Sequence, residues 1–179
     1  MKTRTNSIVD YLVWRGDLSL RADSLNMVDH LVFATLSYVR FADVVPSSFG
    51  EGICLADAAD AVIALCGDDA GAVEGLFRDK RDLSLLHALR ESVRFSDVRL
   101  SGYVDVLDDE TDKQFSAFVA SLSDGTHLIC FRGTDSTITG WKEDLNMGFE
   151  TEVPAQASAS VYLADAAAAL KGPLRICGH

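Results

Sequence analysis

Two short stretches carry residue types that can do chemistry together. In the first, an apolar run from Thr126 to Phe131 passes into Arg132-Gly133-Thr134. A glycine directly after a strand lets the backbone turn with no Cβ in the way. The residue that follows can then present its N–H, and here also a hydroxyl, to a point beyond the strand end. Donors aimed in this way stabilise negative charge developing on a carbonyl oxygen, and one such donor contributes roughly 3–4 kcal/mol. The residue types alone leave a plainer reading open, a glycine turn whose threonine only caps the loop. The second stretch, Leu174 to Cys177, is a short apolar run that ends in Gly178-His179. Trp141 stands seven residues after Thr134, with Asp144-Leu145 close behind it, and Trp141 is expected to support the loop structurally. Arg132 and Asp144 have opposite charges and are expected to pair and brace the loop between them.

Other polar residues make poorer sites. Asp108, Asp109, Glu110 and Asp112 crowd one turn, but they lack the alternating spacing and final glutamate of a calcium loop. They read as a solvated turn, and no metal is expected. His30 and His87 fall within helical patterns as surface or half-buried residues, and His127 opens a strand with no acid in view. The run from Gly133 to Gly140 lacks the lysine of a phosphate loop. Cys54, Cys66, Cys130 and Cys177 form no C-x-x-C pair and match no common zinc spacing. Cys130 and Cys177 lie inside apolar runs and are expected to be buried thiols. No cofactor is implied.

The elements that must position these residues follow from periodicity and punctuation. Ile8 to Trp14 forms a short apolar stretch closed by Gly16. Ser24 or Asn26 can cap a helix whose apolar stripe is Met27, Val28, Leu31, Val32, Ala34, Thr35 and Tyr38. Pro46 to Gly52 reads as a loop. Leu55 to Leu65 is an alanine-rich helix stopped by Gly67, and Leu83 to Val93 repeats the helical spacing. From Asp97 the pattern changes to strands. Val98 to Leu107, Phe115 to Leu122 and Thr126 to Phe131, with Asp124-Gly125 as the tight turn, predict an antiparallel meander. A loop then leads to Pro154, which opens an alanine-rich helix running to Leu170. Gly172-Pro173 stops it before the strand Leu174 to Cys177. Strand, helix, strand from Thr126 to Cys177 predicts a right-handed βαβ crossover with its two strands parallel. The fold class is therefore α/β, with a helical half, residues 1–95, ahead of residues 96–179.

The order F-R-G-T, W-x-x-D-L, helix, strand, G-H resembles the class 3 lipases, and within that clan a bacterial lipase-like family. The match runs from about Val98 to His179. The segments I-V-D-Y-L and N-M-V-D-H-L resemble the same family more loosely. The resemblance implies an α/β-hydrolase fold and a Ser-His-Asp triad acting on a carboxylic ester. It puts Thr134 in the oxyanion hole, following Gly133, with the hydroxyl expected to donate alongside the N–H. It makes Gly178 and His179 the two residues before the nucleophile of a G-H-S-x-G elbow, so His179 is not the triad base. The serine, the second glycine, the acid and the base are then expected beyond residue 179. Residues 96–179 would be the first part of the hydrolase core, and the 179 residues alone are expected to be inactive. The alternative is a non-catalytic module that offers a helical apolar stripe to a partner.

Composition bounds the partners. The chain has 179 residues, enough for one core, and a net charge of -11. That charge disfavours nucleic acid and anionic membrane surfaces. It leaves room for a small-molecule or lipid ester. The first residues carry no signal-peptide pattern and no stretch is long enough to span a membrane, so a cytoplasmic location is expected.

Overall fold

A computed structural model describes residues 7–66, 77, 80–134 and 137–179. Its elements in order are α1 (Ile8–Arg15), α2 (Met27–Leu36), β1 (Ile53–Cys54), α3 (Leu55–Cys66), α4 (Lys80–Arg90), β2 (Arg99–Asp108), β3 (Lys113–Ser121), β4 (His127–Phe131), α5 (Ile138–Asn146), α6 (Pro154–Ala169) and β5 (Leu174–Gly178). A 3₁₀ turn, Val93–Phe95, separates α4 from β2. The five strands form one sheet in sequence order. β1 to β4 are antiparallel neighbours, and β5 pairs parallel with β4, with Phe131 opposite Gly178. The class is α/β, and the meander and the parallel crossover pair both form as the turn residues predicted.

Alternation along the strands splits the core into two layers. Phe118 and Ala120 of β3 and Leu128 and Cys130 of β4 face the helices of the first half. They share one cluster with Leu12, Phe33, Leu36, Leu55, Val62 and Leu86. Phe115, Ala117, Val119 and Ile129 point the other way, onto Tyr162 and Ala166 of α6. Period-two side-chain direction makes this division inevitable once both faces are covered. The bulge in β2 between Ser101 and Val104 turns on Gly102, whose φ of 63° suits glycine. Its carbonyl accepts from Tyr162 Oη at 2.7 Å, which anchors α6 to the sheet.

Three expectations need correction. The stripe assigned to α2 is partly on the wrong side: Met27 is 88% exposed and Leu31 50%, while Asp29, Val32, Phe33 and Leu36 are buried. That helix is apolar nearly all round, so spacing cannot choose its face. The fourth helix starts and ends about three residues early, and Val93 is exposed in the 3₁₀ turn. A nine-residue helix, α5, occupies the segment read as loop before Pro154. Its N-cap is Thr137, whose hydroxyl accepts from the Gly140 N–H at 3.1 Å. The strand β1 has only two residues and gives no alternation to read. The expected glycine stop at residue 67 lies outside the described residues. Among the described residues, no helix is long and apolar enough to cross a membrane.

Candidate active site at the ends of the parallel strands

Chain reversal after β4 and the end of β5 bring the two chemical stretches side by side. In open α/β sheets, ligands meet the carboxyl ends of parallel strands, where the connecting loops part. Here the His179 N–H extends the ladder by donating to Phe131 O at 3.3 Å, and Arg132-Gly133-Thr134 leaves β4 beside it. A Cβ on Gly133 would collide with the carbonyl oxygen of His179. Gly133 is thus required by close approach to the neighbouring strand, and its backbone is not in the left-handed region.

Thr134 is held on several sides. Its hydroxyl donates to Asp144 Oδ1 at 2.7 Å, and its carbonyl accepts from Tyr38 Oη at 3.2 Å. A Cβ on Gly140 of α5 would lie 2.9 Å from Thr134 Cγ2, so the bare glycine lets the helix press on the loop. A hydroxyl has one proton, and this one goes to Asp144. A hydroxyl that donates to a reacting oxygen, as the sequence leads one to expect, would first have to leave that carboxylate. Among the described residues, no acceptor bonds the Thr134 N–H.

Tyr38, just past α2, ties both strand ends together. Its oxygen is 2.8 Å from His179 Nδ1, and the two rings meet edge to face with centroids 4.9 Å apart. With the Tyr38 hydroxyl donating to Thr134 O, the His179 tautomer that suits this contact is the one carrying its proton on Nδ1. Sequence reading counted Tyr38 only as part of an apolar stripe. Its partners lie 96 and 141 residues away, and nothing local to Tyr38 signals them.

Arg132 does not pair with Asp144. Its Nη2 and Nη1 grip Asp105 of β2 at 2.7 and 3.2 Å, spanning β3, and its side chain is only 5% exposed. The carboxylate of Asp105 also accepts from Tyr103 Oη at 3.2 Å. A lone carboxylate inside the strand run Tyr103-Val104-Asp105-Val106 was the available clue to this fork. Arg132 Nε is buried with no partner among the described residues. Burial, and then the nearby Asp105 charge, push the Tyr103 phenol up to about 12. Tyr103 and Asp105 also line a cavity of about 520 Å³ with residues 42–47.

The helix that carries Asp144 is fixed by Glu143, which is buried. That carboxylate accepts from the Gln114 N–H at 2.9 Å and from the Ala155 N–H, in the first turn of α6, at 2.7 Å. A carboxylate at a helix N-terminus is favoured by the unpaired N–H groups and the dipole there. Trp141, expected to support the loop, is instead 66% exposed, and it lines a shallow groove with Ile138 and Leu145. His127 is engaged structurally, Nδ1 with Ser121 Oγ at 2.8 Å and Nε2 with Lys171 O at 3.1 Å. His30 is half-buried and His87 is exposed. The acidic turn binds itself: Asp108 accepts from Glu110 and Thr111, Asp109 from Thr139, and Asp112 pairs with Lys142 at 3.0 Å. Among the described residues, no group of three or more His, Cys, Asp or Glu is placed to hold a metal.

A family model described as Mbeg1-like matches residues 89–179, the segment from the end of α4 through the sheet to β5. No curated protein and no solved structure matches the chain.

Proposed function

This chain belongs to the Mbeg1-like family, and within it we propose that the ends of β4 and β5 form part of an α/β-hydrolase site that cleaves carboxylic esters. One observation carries the reading. Thr134 is immobilised through its hydroxyl and its carbonyl, one strand away from Gly178-His179, and its N–H has no acceptor among the described residues. A donor fixed before the reaction, beside the place where a strand-end nucleophile would sit, suits a developing oxyanion. The parallel order of β4 and β5 and the similarity of the motifs to class 3 lipases support the same reading.

The reading requires a serine contributed from outside the 179 residues, following His179. Its oxygen would attack the ester carbonyl while a base accepts its proton. The Thr134 N–H, with the N–H after the nucleophile, would hold the carbonyl oxygen as it gains charge. Gly133 and Tyr38 would keep the loop at the proper distance from β5. The substrate class is a small-molecule or lipid ester, and no cofactor enters the scheme.

The test compares this chain with a protein that continues past His179. Fluorophosphonate labelling and cleavage of a short-chain nitrophenyl ester are expected from the longer protein and absent from the 179 residues. Stoichiometric labelling of the short chain, or none in either, would remove the proposal. In the longer protein, Thr134→Val keeps the N–H and loses the hydroxyl. Because that hydroxyl serves Asp144, kcat is expected to fall by less than the roughly 10²–10³ of a deleted oxyanion donor. Asp144→Asn should act on the same step, so the double variant should be no worse than the poorer single. A second reading, a non-catalytic interaction module, draws on the exposed Met27 and Leu31 of α2. It would be favoured by absence of labelling in both proteins together with a stable, monodisperse short chain.

A further inference from the structure

Just behind the candidate site, Cys130 of β4 and Cys177 of β5 stand opposite each other in the parallel ladder. Their sulfurs are 3.4 Å apart, and both are free thiols. Cys130 is fully buried, while Cys177 is half-buried at the sheet edge and packs against the same apolar cluster. Neighbouring strands run about 4.8 Å apart, inside the roughly 4.4–6.8 Å range of Cα separations that a disulfide bridges. Forming the bond needs the sulfurs to close by about 1.4 Å, from 3.4 Å to about 2.05 Å. Both side chains already lie on one face of the sheet.

We propose that Cys130 and Cys177 are an oxidative modification site, a dithiol that a peroxide converts to a disulfide across the two strands that lead into the candidate site. The proposal stands on the geometry of the pair and does not depend on the ester reading. Of the two, Cys177 is the better nucleophile. The neighbouring Cys130 thiol holds the Cys177 thiol below its ordinary range, and burial pushes Cys130 well above it. The Cys177 thiolate attacks one peroxide oxygen. The S–O bond forms as the O–O bond breaks, leaving a sulfenic acid and, after proton transfer, one water. The Cys130 sulfur, losing its proton, then attacks the Cys177 sulfur. The S–S bond forms, the S–O bond breaks, and a second water leaves. In total, two thiols and one hydrogen peroxide give one disulfide and two waters.

The bridge would tie β4 to β5 two residues before His179 and three before Gly133. It would set covalently the spacing that the approach of Gly133 to the His179 carbonyl already demands. Cys54 and Cys66 serve as internal controls. Cys54 donates to Ser96 O at 3.4 Å, and Cys66 is buried in the helical layer. Neither has a thiol partner among the described residues.

The experiment uses the wild-type chain under native conditions. It is treated with hydrogen peroxide, alkylated with iodoacetamide, digested without reductant and mapped by mass spectrometry. The expected result is one intramolecular Cys130–Cys177 linkage, with alkylation of both residues lost together and restored together by dithiothreitol. In Cys130→Ser the same treatment should leave a Cys177 sulfenic acid that dimedone traps. If that variant does not fold, the wild-type map alone decides the matter. The proposal is overturned if Cys177 advances to sulfinic acid while Cys130 stays alkylatable after denaturation. It is equally overturned by Cys177–Cys177 dimers in place of the internal bridge, or by both thiols surviving peroxide unchanged.

Discussion

Single groups in this molecule are mostly committed by proton count, and Tyr103 and Tyr38 show how to measure the commitments. Tyr103 keeps its proton to about 12 because its ring is buried and Asp105 is close. A tyrosine in the unfolded chain ionises near 10. The folded value is raised, so the associated stability is complete below about pH 10 and is lost as pH climbs toward about 12. The urea midpoint should therefore fall across that window, and it should fall less in Tyr103→Phe. Equal falls in both proteins would show that the phenol is not coupled to folding. Tyr38→Phe removes the oxygen between His179 and Thr134. In wild type, long-range nitrogen–proton NMR should report the Nδ1–H tautomer of His179, and in the variant the more common Nε2–H form should grow. An Nε2–H tautomer in wild type would break the proposed chain of donors. At this scale the tight approach at Gly133 was legible in the sequence, because a glycine directly after a strand marks a place where the backbone turns with no room for a Cβ. Tyr38 and Asp105 could not, because their roles exist only once distant strands and helices meet.

Helices and strands are locked together by buried polar groups that bond across elements. Asp29 accepts from the Asn26 N–H to complete a capping box, from Tyr11 Oη at 2.9 Å, and from Arg94 through Nε and Nη2 at 2.8 and 2.5 Å. Arg94 spends its remaining donors on the carbonyls of Leu18, Asp23 and Ser24. One guanidinium thus joins the start of α2, the preceding loop and the 3₁₀ turn. Removing one partner of such a pair leaves the other charged and buried, at a cost of about 3–5 kcal/mol. Arg94→Met should lose that much in urea denaturation. Arg94→Lys should recover little, since an ammonium cannot reproduce the fork. A loss below about 1 kcal/mol for Arg94→Met would mean that the pair merely offsets its own desolvation. The Asn26 cap was visible in the sequence, as were the hairpin at Asp124-Gly125 and the proline start of α6. Helix α5 escaped because its apolar residues Ile138, Trp141 and Leu145, although at helical spacing, point to solvent, and Gly140 interrupts them. Its reason to exist is Glu143, a buried carboxylate that the sequence presents as one more surface charge.

Among the described residues, one sheet stands between a helical layer from the first half and α6 from the second. Apolar residues from Leu12 to Cys130 belong to a single cluster, so the helical half and the strands are one packed body on that side. The outer face of the final strand is less protected. Among the described residues β5 pairs with β4 alone, and Ile176 is 54% exposed. The consequence is a pattern in time. The His179 N–H points inward to Phe131 O, and a period of two then points the N–H groups of Arg175 and Cys177 inward as well. Those of Leu174, Ile176 and Gly178 face outward. Hydrogen–deuterium exchange along β5 should therefore alternate, slow at 175, 177 and 179 and fast at 174, 176 and 178. Uniformly fast exchange would mean that the strand frays from β4. In a longer protein where another strand pairs with this edge, the fast row alone should slow down. The same three amides thus become a clock for whether the sheet has acquired its next neighbour.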